Sequence, residues 1–314
     1  MILLSNFKKI LVTSTSFSKI DQEPIDLLKK NNFQIIWEKG PLDDGNLANI
    51  IEDCDAIIVG NDFVGEKTLN QQKNLKVIVK HGVGIDNINI ELAKKKGIKI
   101  INAPHTNAIA VAEHVFACLL SLIRKVCESR ISLLQGKWEG SKFIGTELYG
   151  KTLGIIGMGY IGQHVALIGS GFGMSIYYYD VIKNEKNIKA KFLSLDKLLE
   201  KSDVLTIHVP LIKDTTNLIG TREINRMKSS AYLVNMARGG IVNEEALFNA
   251  LKENKIRGAV LDVFMNQPVK KNWEMLKLKN VLCTPHTAGY TVESIKRTSL
   301  SVTLELIDYY NNQY

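Results

Sequence analysis

Residues 153–162 constrain this chain more than any other stretch. Leu153-Gly154-Ile155-Ile156 is a short apolar run of the kind a buried parallel strand needs, and it leads straight into Gly157-Met158-Gly159-Tyr160-Ile161-Gly162, a G-x-G-x-x-G. A helix-like segment follows over 163–170, then a second strand at Ser175–Tyr179 that Asp180 closes. Strand, glycine turn, helix, strand and acid, in that order, are what a dinucleotide site requires. Gly157 permits the tight turn. Gly159 removes the side chain that would hold a pyrophosphate off the backbone, and Gly162 lets the helix pack close to the strand. Tyr160 and Ile161, within the turn, are expected at the cofactor as well, and the free N–H groups and positive dipole end of the helix N-terminus would face the phosphates. Asp180 would accept hydrogen bonds from the adenosine ribose hydroxyls and repel a 2′-phosphate, which favours NAD over NADP. A lone G-x-G-x-x-G is weak evidence, and the bland alternative is a glycine-rich turn in an unrelated α/β sheet. The strand, the helix and the distal acid, each in its required place, argue against that alternative.

A chain of 314 residues has room for one large or two ordinary domains. Its 45% hydrophobic and 23% charged content is that of a soluble globular protein. The longest apolar stretch, 115–123, is far short of the roughly 20 residues of a membrane span, so no membrane association is expected. The apolar start, 1–5, leads into a strand at Phe7-Lys8-Lys9-Ile10-Leu11-Val12 and does not read as a signal peptide. Cys54, Cys118, Cys127 and Cys283 form no C-x-x-C and no metal-ligand spacing; they read as reduced thiols of a cytoplasmic protein without a metal site. The net charge of +8 is spread along the chain, with short clusters such as Lys94-Lys95-Lys96. Solvated helix faces explain it better than a nucleic-acid patch.

Strand and helix patterns alternate through the first hundred residues. Strands are expected at 9–13, 34–37, 56–59, 76–80 and 99–102, and helices at 24–30, 47–53 and 90–96, with turns at Gly40-Pro41, Asp44-Gly45 and Gly97. Ala103-Pro104 ends this series. From Asn107 to about Leu134 runs one long helical pattern, apolar on most sides at Val111, Val115, Phe116, Leu119, Leu120 and Ile123, as expected of a helix buried between layers, domains or subunits. A second series has strands at 152–156, 175–179, 204–209, 232–235, 258–261 and 280–283, and a final helix from Val292 to about Tyr309. Apolar runs alternating with helices imply parallel sheets covered on both faces. The fold class is therefore α/β, with two doubly wound parallel-sheet domains.

Ligands of open α/β sheets bind beyond the carboxyl ends of the strands. Four segments of the second series occupy such ends: His208-Val209-Pro210-Leu211, Asn235-Met236-Ala237-Arg238-Gly239-Gly240, Leu261-Asp262-Val263-Phe264 and Thr284-Pro285-His286-Thr287-Ala288-Gly289. An arginine at a strand end, followed by two glycines, can clamp a carboxylate with both arms of its guanidinium. A histidine can pass a proton to or from a hydroxyl near neutral pH. Together with a nicotinamide cofactor they suit hydride transfer at the carbon of a 2-hydroxy acid. The bland readings are a surface ion pair for Arg238 and a satisfied core histidine for His286. His81, His114 and His208 read first as structural or as backbone contacts.

With these segments in order, the chain resembles the D-isomer-specific 2-hydroxyacid dehydrogenase family along essentially its whole length. The matching residues are Lys80-His81-Gly82-Val83-Gly84-Ile85-Asp86-Asn87, Asn102-Ala103-Pro104, Asn107 with Val111-Ala112-Glu113-His114, the glycine turn and the four segments above. The resemblance implies a flavodoxin-like substrate domain, residues 1–103 plus 287–314, around a Rossmann NAD-binding domain, residues 104–286, with the active site in a cleft between them and a homodimer formed through the long helix. It implies Arg238 on the substrate carboxylate and 2-oxo oxygen, His286 as acid/base, the N–H groups of Val83 and Gly84 on the carboxylate, and Asn107 lining the site. Asp262 would hold the nicotinamide carboxamide, and His208, Val209, Pro210, Met236, Ala237 and Ala288 would line the cofactor.

One position departs from the family pattern. Most relatives carry a glutamate five residues after the aspartate of the Asp-Val-Phe segment, where it pairs with the histidine; here Gln267 stands there and Met265 is no substitute. Glu274 would supply the acid if its loop folded back. The formate dehydrogenase branch also has glutamine there, since formate oxidation needs no proton transfer, but its substrate loop differs from this one. A 2-hydroxy acid is the first reading and formate the alternative. A non-catalytic NAD-sensing protein is a third, against which the presence of both Arg238 and His286 argues.

Asp180 ends its strand and no arginine follows over 181–186, although Lys183 and Lys186 lie near. Turnover with NADH should therefore exceed that with NADPH, and Asp180→Ala should mainly weaken NADH binding. Equal kcat/KM for the two cofactors in the unmodified protein contradicts the assignment.

Overall fold

The computed structural model describes residues 8–183 and 189–312; the start 1–5, Phe7 and Lys186 lie outside them. The chain divides into two compact units, Met1–Asn107 with Tyr290–Tyr314, and Ala108–Gly289. The divisions fall a few residues beyond the expected 103/104 and 286/287.

The first unit alternates β1 (Lys8–Val12), α1 (Glu23–Lys30), β2 (Phe33–Trp37), α2 (Asp44–Ala48), β3 (Ala56–Val59), α3 (Glu66–Gln71), β4 (Val77–Lys80), α4 (Ile90–Lys95) and β5 (Lys99–Ile101). The strands pair in parallel in the order β2-β1-β3-β4-β5. Because successive side chains of a strand point to opposite faces, Ile10, Val12 and Ile58 pack under Val302, Leu306 and Tyr310 of the C-terminal helix (Val292–Asn311). Leu11, Ile57 and Val59 pack on Leu47, Leu69 and Ala93.

Two readings of this unit need correction. The second helix lies at Asp44–Ala48, not 47–53. Asp43 caps it by accepting from Asn46 N at 2.9 Å, and the Asp44 carboxylate accepts from Gly65 N and Thr68 N. Asp-Gly here opens a helix in place of the expected turn, and the same aspartate ties down α3, an element without a periodic apolar signal in the sequence.

The second unit holds α5 (Ala108–Ile123), α6 (Val126–Leu134), β6 (Thr152–Ile156), α7 (Tyr160–Gly171), β7 (Ser175–Tyr179), β8 (Lys191–Phe192), α8 (Leu195–Lys201), β9 (Val204–Ile207), α9 (Thr221–Arg226), β10 (Tyr232–Asn235), α10 (Glu244–Lys252), β11 (Gly258–Leu261) and β12 (Val281–Cys283). Its parallel sheet has the order β12-β11-β10-β9-β6-β7-β8. The chain runs outward from β6 to β8, then returns to β9 on the other side of β6. The crevice at that reversal is the binding position of open α/β sheets. One face of the sheet packs on α5 and α7 through Val115, Phe116, Leu119 and Val165; the other packs on α8 to α10 through Leu198, Ile224 and Leu247.

The single long helix expected over 107–134 is two. Lys125 takes a left-handed φ of 52°, and the Ile123 carbonyl accepts from Thr146 N at 3.1 Å, so a later segment caps α5 where the pattern continues. β9 ends at Ile207, short of the expected 209, and β8, only Lys191–Phe192, carries no apolar run to announce it. Among the described residues no helix is long and apolar enough to cross a membrane, and no group of three acidic, histidine or cysteine side chains is placed to hold a metal ion.

His81, at the end of β4, is buried among Ser14, Ser16 and Ser299, with Nε2 2.9 Å from Ser299 Oγ on the C-terminal helix. Burial, aided by the Lys80 ammonium, pushes its pKa down to about 4, and burial pushes His208 down to about 3. Both are neutral in the fold, whereas in the unfolded chain each takes up a proton below about pH 6.5. Their stabilisation is complete above that pH and is lost as pH falls toward 4, by roughly 3 kcal/mol for His81 alone. The melting temperature should fall between pH 6.5 and 4, and less steeply in His81→Gln. A flat profile, or an unchanged slope in the variant, contradicts this assignment.

Candidate active site

The glycine turn has the geometry its residues imply. Gly157 has a φ of 94°, and a side chain there would meet the His208 carbonyl oxygen at 2.6 Å, so the turn lies directly against the end of β9. A side chain on Gly162 would meet the Gly157 carbonyl oxygen at 2.1 Å, which is the close helix approach that glycine permits. Above Gly159 there is open space. Asp180 Oδ2 accepts from Met158 N at 2.7 Å, so the acid stands beside the turn at the end of β7. Open space over Gly159, a helix N-terminus at Tyr160 and an acid across the turn fit a dinucleotide. Thr206 Oγ1 lies 2.9 Å from His208 Nε2, and His208 Nδ1 is buried without a partner among the described residues.

Beyond β10 the backbone turns tightly around Asn235, whose Oδ1 accepts from Ala237 N at 3.1 Å and whose Nδ2 donates to Arg238 O at 2.9 Å. Arg238 is half-buried and its Nη1 donates to Ala237 O at 2.7 Å. Gly239 follows where no side chain fits, because its Cβ would lie 2.0 Å from the Phe264 carbonyl carbon. The segment bearing Arg238 therefore rests on the backbone of 264–265, which Glu244 of α10 holds by accepting from Met265 N at 2.6 Å.

Asp262, at the end of β11, has no solvent exposure. Its Oδ1 accepts from Thr284 Oγ1 at 2.6 Å and Thr287 N at 2.8 Å, and its Oδ2 accepts from Ala288 N at 2.9 Å. One carboxylate thus pins the segment on both sides of His286, whose backbone takes a left-handed φ of 55°.

On the His286 ring, Nδ1 lies 2.8 Å from Gln267 Oε1. Gln267 Nε2 donates to the Phe264 carbonyl at 3.2 Å. A carbonyl only accepts, so the amide orientation is set: its oxygen faces the imidazole, and Nδ1 carries the proton. Glu274 is exposed and ion-paired with Lys277, so the loop does not deliver it to Nδ1 as a substitute for the missing acid.

In the first unit the backbone of 82–84 is held through its carbonyls. The Gly82 carbonyl accepts from Ala103 N at 2.9 Å and the Val83 carbonyl from Asn102 Nδ2 at 2.6 Å, while the N–H groups of Val83 and Gly84 have no partner among the described residues. Asn107 Oδ1 is buried and likewise unpartnered. The residues that sequence reasoning missed are those that hold others in place: Asn102, Asn235 toward its own turn, Glu244 and Thr284. For Asn102, Glu244 and Thr284 spacing along the chain gives no signal, since each acts on a segment brought near only by the fold, whereas Asn235 acts two and three residues along its own turn.

Residues 116–288 match the family model described as D-isomer specific 2-hydroxyacid dehydrogenase, NAD binding domain. The chain belongs to the D-isomer specific 2-hydroxyacid dehydrogenase family. It is 38% identical over 287 residues to a hydroxypyruvate reductase of Thermotoga maritima, covering 90% of this chain and 93% of that one. It is 38% identical over 293 residues to a D-3-phosphoglycerate dehydrogenase of Archaeoglobus fulgidus, covering 92% of this chain but only 55% of the relative, so the chain spans about half the length of that enzyme. The structure superposes on D-lactate dehydrogenase from Aquifex aeolicus complexed with NAD and lactic acid with a TM-score of 0.85 at 32% identity, covering 97% of this chain and 96% of that one. The central unit is therefore an NAD-binding domain of this family.

Replacing Gly239 by alanine sets a methyl group against the Phe264 backbone and must displace the Arg238 turn or the 264–267 segment. We expect Gly239→Ala to lower turnover by at least about tenfold and to reduce the melting temperature. Full activity in a folded variant would mean that this packing does not position the site.

Proposed function

We propose that the protein is an NAD-dependent oxidoreductase of D-2-hydroxy acids, interconverting a small 2-hydroxy acid and its 2-oxo acid. The observation that carries this is the His286–Gln267 pair beside the Arg238 turn. In this reading Arg238 binds the substrate carboxylate and the 2-oxo oxygen with its guanidinium. The N–H groups of Val83 and Gly84 hold the carboxylate, and Asn107 lines the site. His286 Nε2 gives its proton to the 2-oxo oxygen in reduction and takes the hydroxyl proton in oxidation, while Gln267 holds Nδ1–H and thereby the ring orientation. NAD, when bound, supplies or accepts the hydride at the substrate carbon. The residues that would hold it are Gly157, Gly159, Tyr160, Ile161 and Gly162 at the pyrophosphate, Asp180 at the adenosine ribose, and His208, Val209, Pro210, Met236, Ala237 and Ala288 along its length. The Asp262 carboxylate is already held by the His286 segment, and Oδ2 has one lone pair left for the nicotinamide carboxamide.

A homodimer is part of the same proposal. α6 and the chain after it expose Ile131, Leu134, Trp138, Ile144 and Tyr149, with Trp138 91% accessible, and exposed apolar side chains in this number support an association surface here. The cysteines are all free thiols, which supports a reducing, cytoplasmic setting. The comparisons favour neither the formate reading nor a non-catalytic sensor.

Oxidation of NADH in a screen of glyoxylate, pyruvate, hydroxypyruvate, phosphohydroxypyruvate and branched 2-oxo acids tests the function directly; no turnover with any of them refutes it. The role of Gln267 is read from the pH dependence. An amide supplies no charge, whereas a carboxylate beside an imidazole favours the imidazolium and raises its pKa. Reduction consumes the protonated form, so its rate should fall as pH rises, and Gln267→Glu should move that fall to higher pH. Each unit of displacement corresponds to about 1.4 kcal/mol. Coincident profiles would show that residue 267 does not govern His286.

A further inference from the structure

His114, on α5, lies behind the carboxylate that pins His286. Its Nε2 is 3.3 Å from Thr284 Oγ1 and 3.9 Å from Asp262 Oδ1, and Cys118 Sγ, one turn along the same helix, is 3.4 Å from that nitrogen. Thr284 has one hydroxyl proton, and Asp262 Oδ1 takes it at 2.6 Å. The oxygen therefore meets His114 as an acceptor, and the imidazole carries its proton on Nε2. The titratable groups facing this ring are Cys118 and Asp262. Burial, with the Asp262 charge adding to it, pushes the Cys118 pKa up to about 11, so the sulfur is a thiol and brings no second negative charge. Asp262 is the one anion here, fully removed from water, and its orientation depends on the few donors around it.

We propose that His114 is a positioning residue for His286. Its Nε2–H, acting through the Thr284 hydroxyl, holds the Asp262 carboxylate in the orientation that grips the N–H groups of Thr287 and Ala288, and so sets the left-handed turn from which the His286 ring reaches Gln267. The chain is thus α5, Thr284, Asp262, His286. A histidine that merely filled space between α5 and β12 would need only its volume; this one needs its N–H. The rate consequence rests on the acid/base role proposed for His286, whereas the ring geometry does not.

The test uses the full chain without cofactor, labelled with ¹⁵N at histidine. Long-range ¹H–¹⁵N correlation spectra report which ring nitrogen of His286 is protonated. In the unmodified protein Gln267 should keep it in the Nδ1–H form. His114→Leu should move His286 toward the Nε2–H form that free imidazole prefers, and His114→Gln, which places an N–H near the position of Nε2, should restore the original spectrum. Thr284→Val should reproduce the leucine variant, and the double variant should be no worse than either single one, as expected of one interaction chain. In turnover, His114→Leu should lose about tenfold or more in kcat with little change in the 2-oxo acid KM, and His114→Gln should recover most of it. An unshifted His286 in a folded His114→Leu protein overturns the proposal, as does equal damage from Leu and Gln, or additive losses in the double variant. Should the leucine variant fail to fold, Thr284→Val against Thr284→Ser decides, since only the first removes the hydroxyl. A wild-type protein that turns over no 2-oxo acid refutes the function proposed above and leaves the tautomer measurement as the deciding one for His114.

Discussion

The Asp262 carboxylate is the interaction on which the reactive end of the second unit depends. Taking a carboxylate out of water costs several kcal/mol unless donors replace the lost hydration. The donors come from one short segment, Thr284 Oγ1, Thr287 N and Ala288 N, so burial of the acid and placement of that segment are a single event. The residue between them, His286, sits at a φ of 55°, a conformation that costs a non-glycine residue on the order of 1 kcal/mol and persists only where the surroundings enforce it. Bonds to both flanks supply that enforcement. The ring then meets Gln267, itself oriented by the Phe264 carbonyl, so no element of the pair is left to solvent to position.

Parallel topology explains why so many functional candidates gather on one side of each sheet. Every strand of the second sheet runs the same way, so every carboxyl end emerges at the same edge. Gly157 follows β6, Asp180 follows β7, His208 follows β9, Met236 to Arg238 follow β10, Asp262 follows β11 and Thr284 to His286 follow β12. The order reversal at β6 and β9 is where such sheets open a crevice, and there the Gly157 turn lies close against the His208 carbonyl. In the first unit the same rule puts the 82–84 segment after β4 and its support, Asn102, after β5.

Close packing of backbone on backbone is the second device of the site. Gly239 against Phe264 and Gly162 against Gly157 are contacts that any Cβ would break, and each joins a functional segment to its neighbour. In the sequence the glycine after Arg238 was visible only as one of the two that follow the arginine. Its use is steric: it lets the arginine turn lie on the segment that carries Gln267.

The alternation of apolar runs with helical patterns was enough to read two parallel α/β sheets and most of their strands, because buried parallel strands must be apolar on both faces and show it locally. The G-x-G-x-x-G with Asp180, and the arginine, glutamine and histidine after later strands, were legible for the same reason: each sits at a strand end that the sequence itself marks. Elements held by distant side chains were not legible. The start of α2 depends on Asp43 and Asp44, the break between α5 and α6 on the Thr146 amide capping Ile123, and β8 on pairing alone. The partner of His286 was a question of register in a loop, left open between Gln267 and Glu274, and only the folded path of that loop decided it. By itself the sequence determined which groups are available and at which strand ends they emerge. The tertiary structure decided which of them touch, because hydrogen bonds such as Asp262 to Ala288 and His114 to Thr284 join residues far apart in the chain, whose approach depends on sheet order and helix packing.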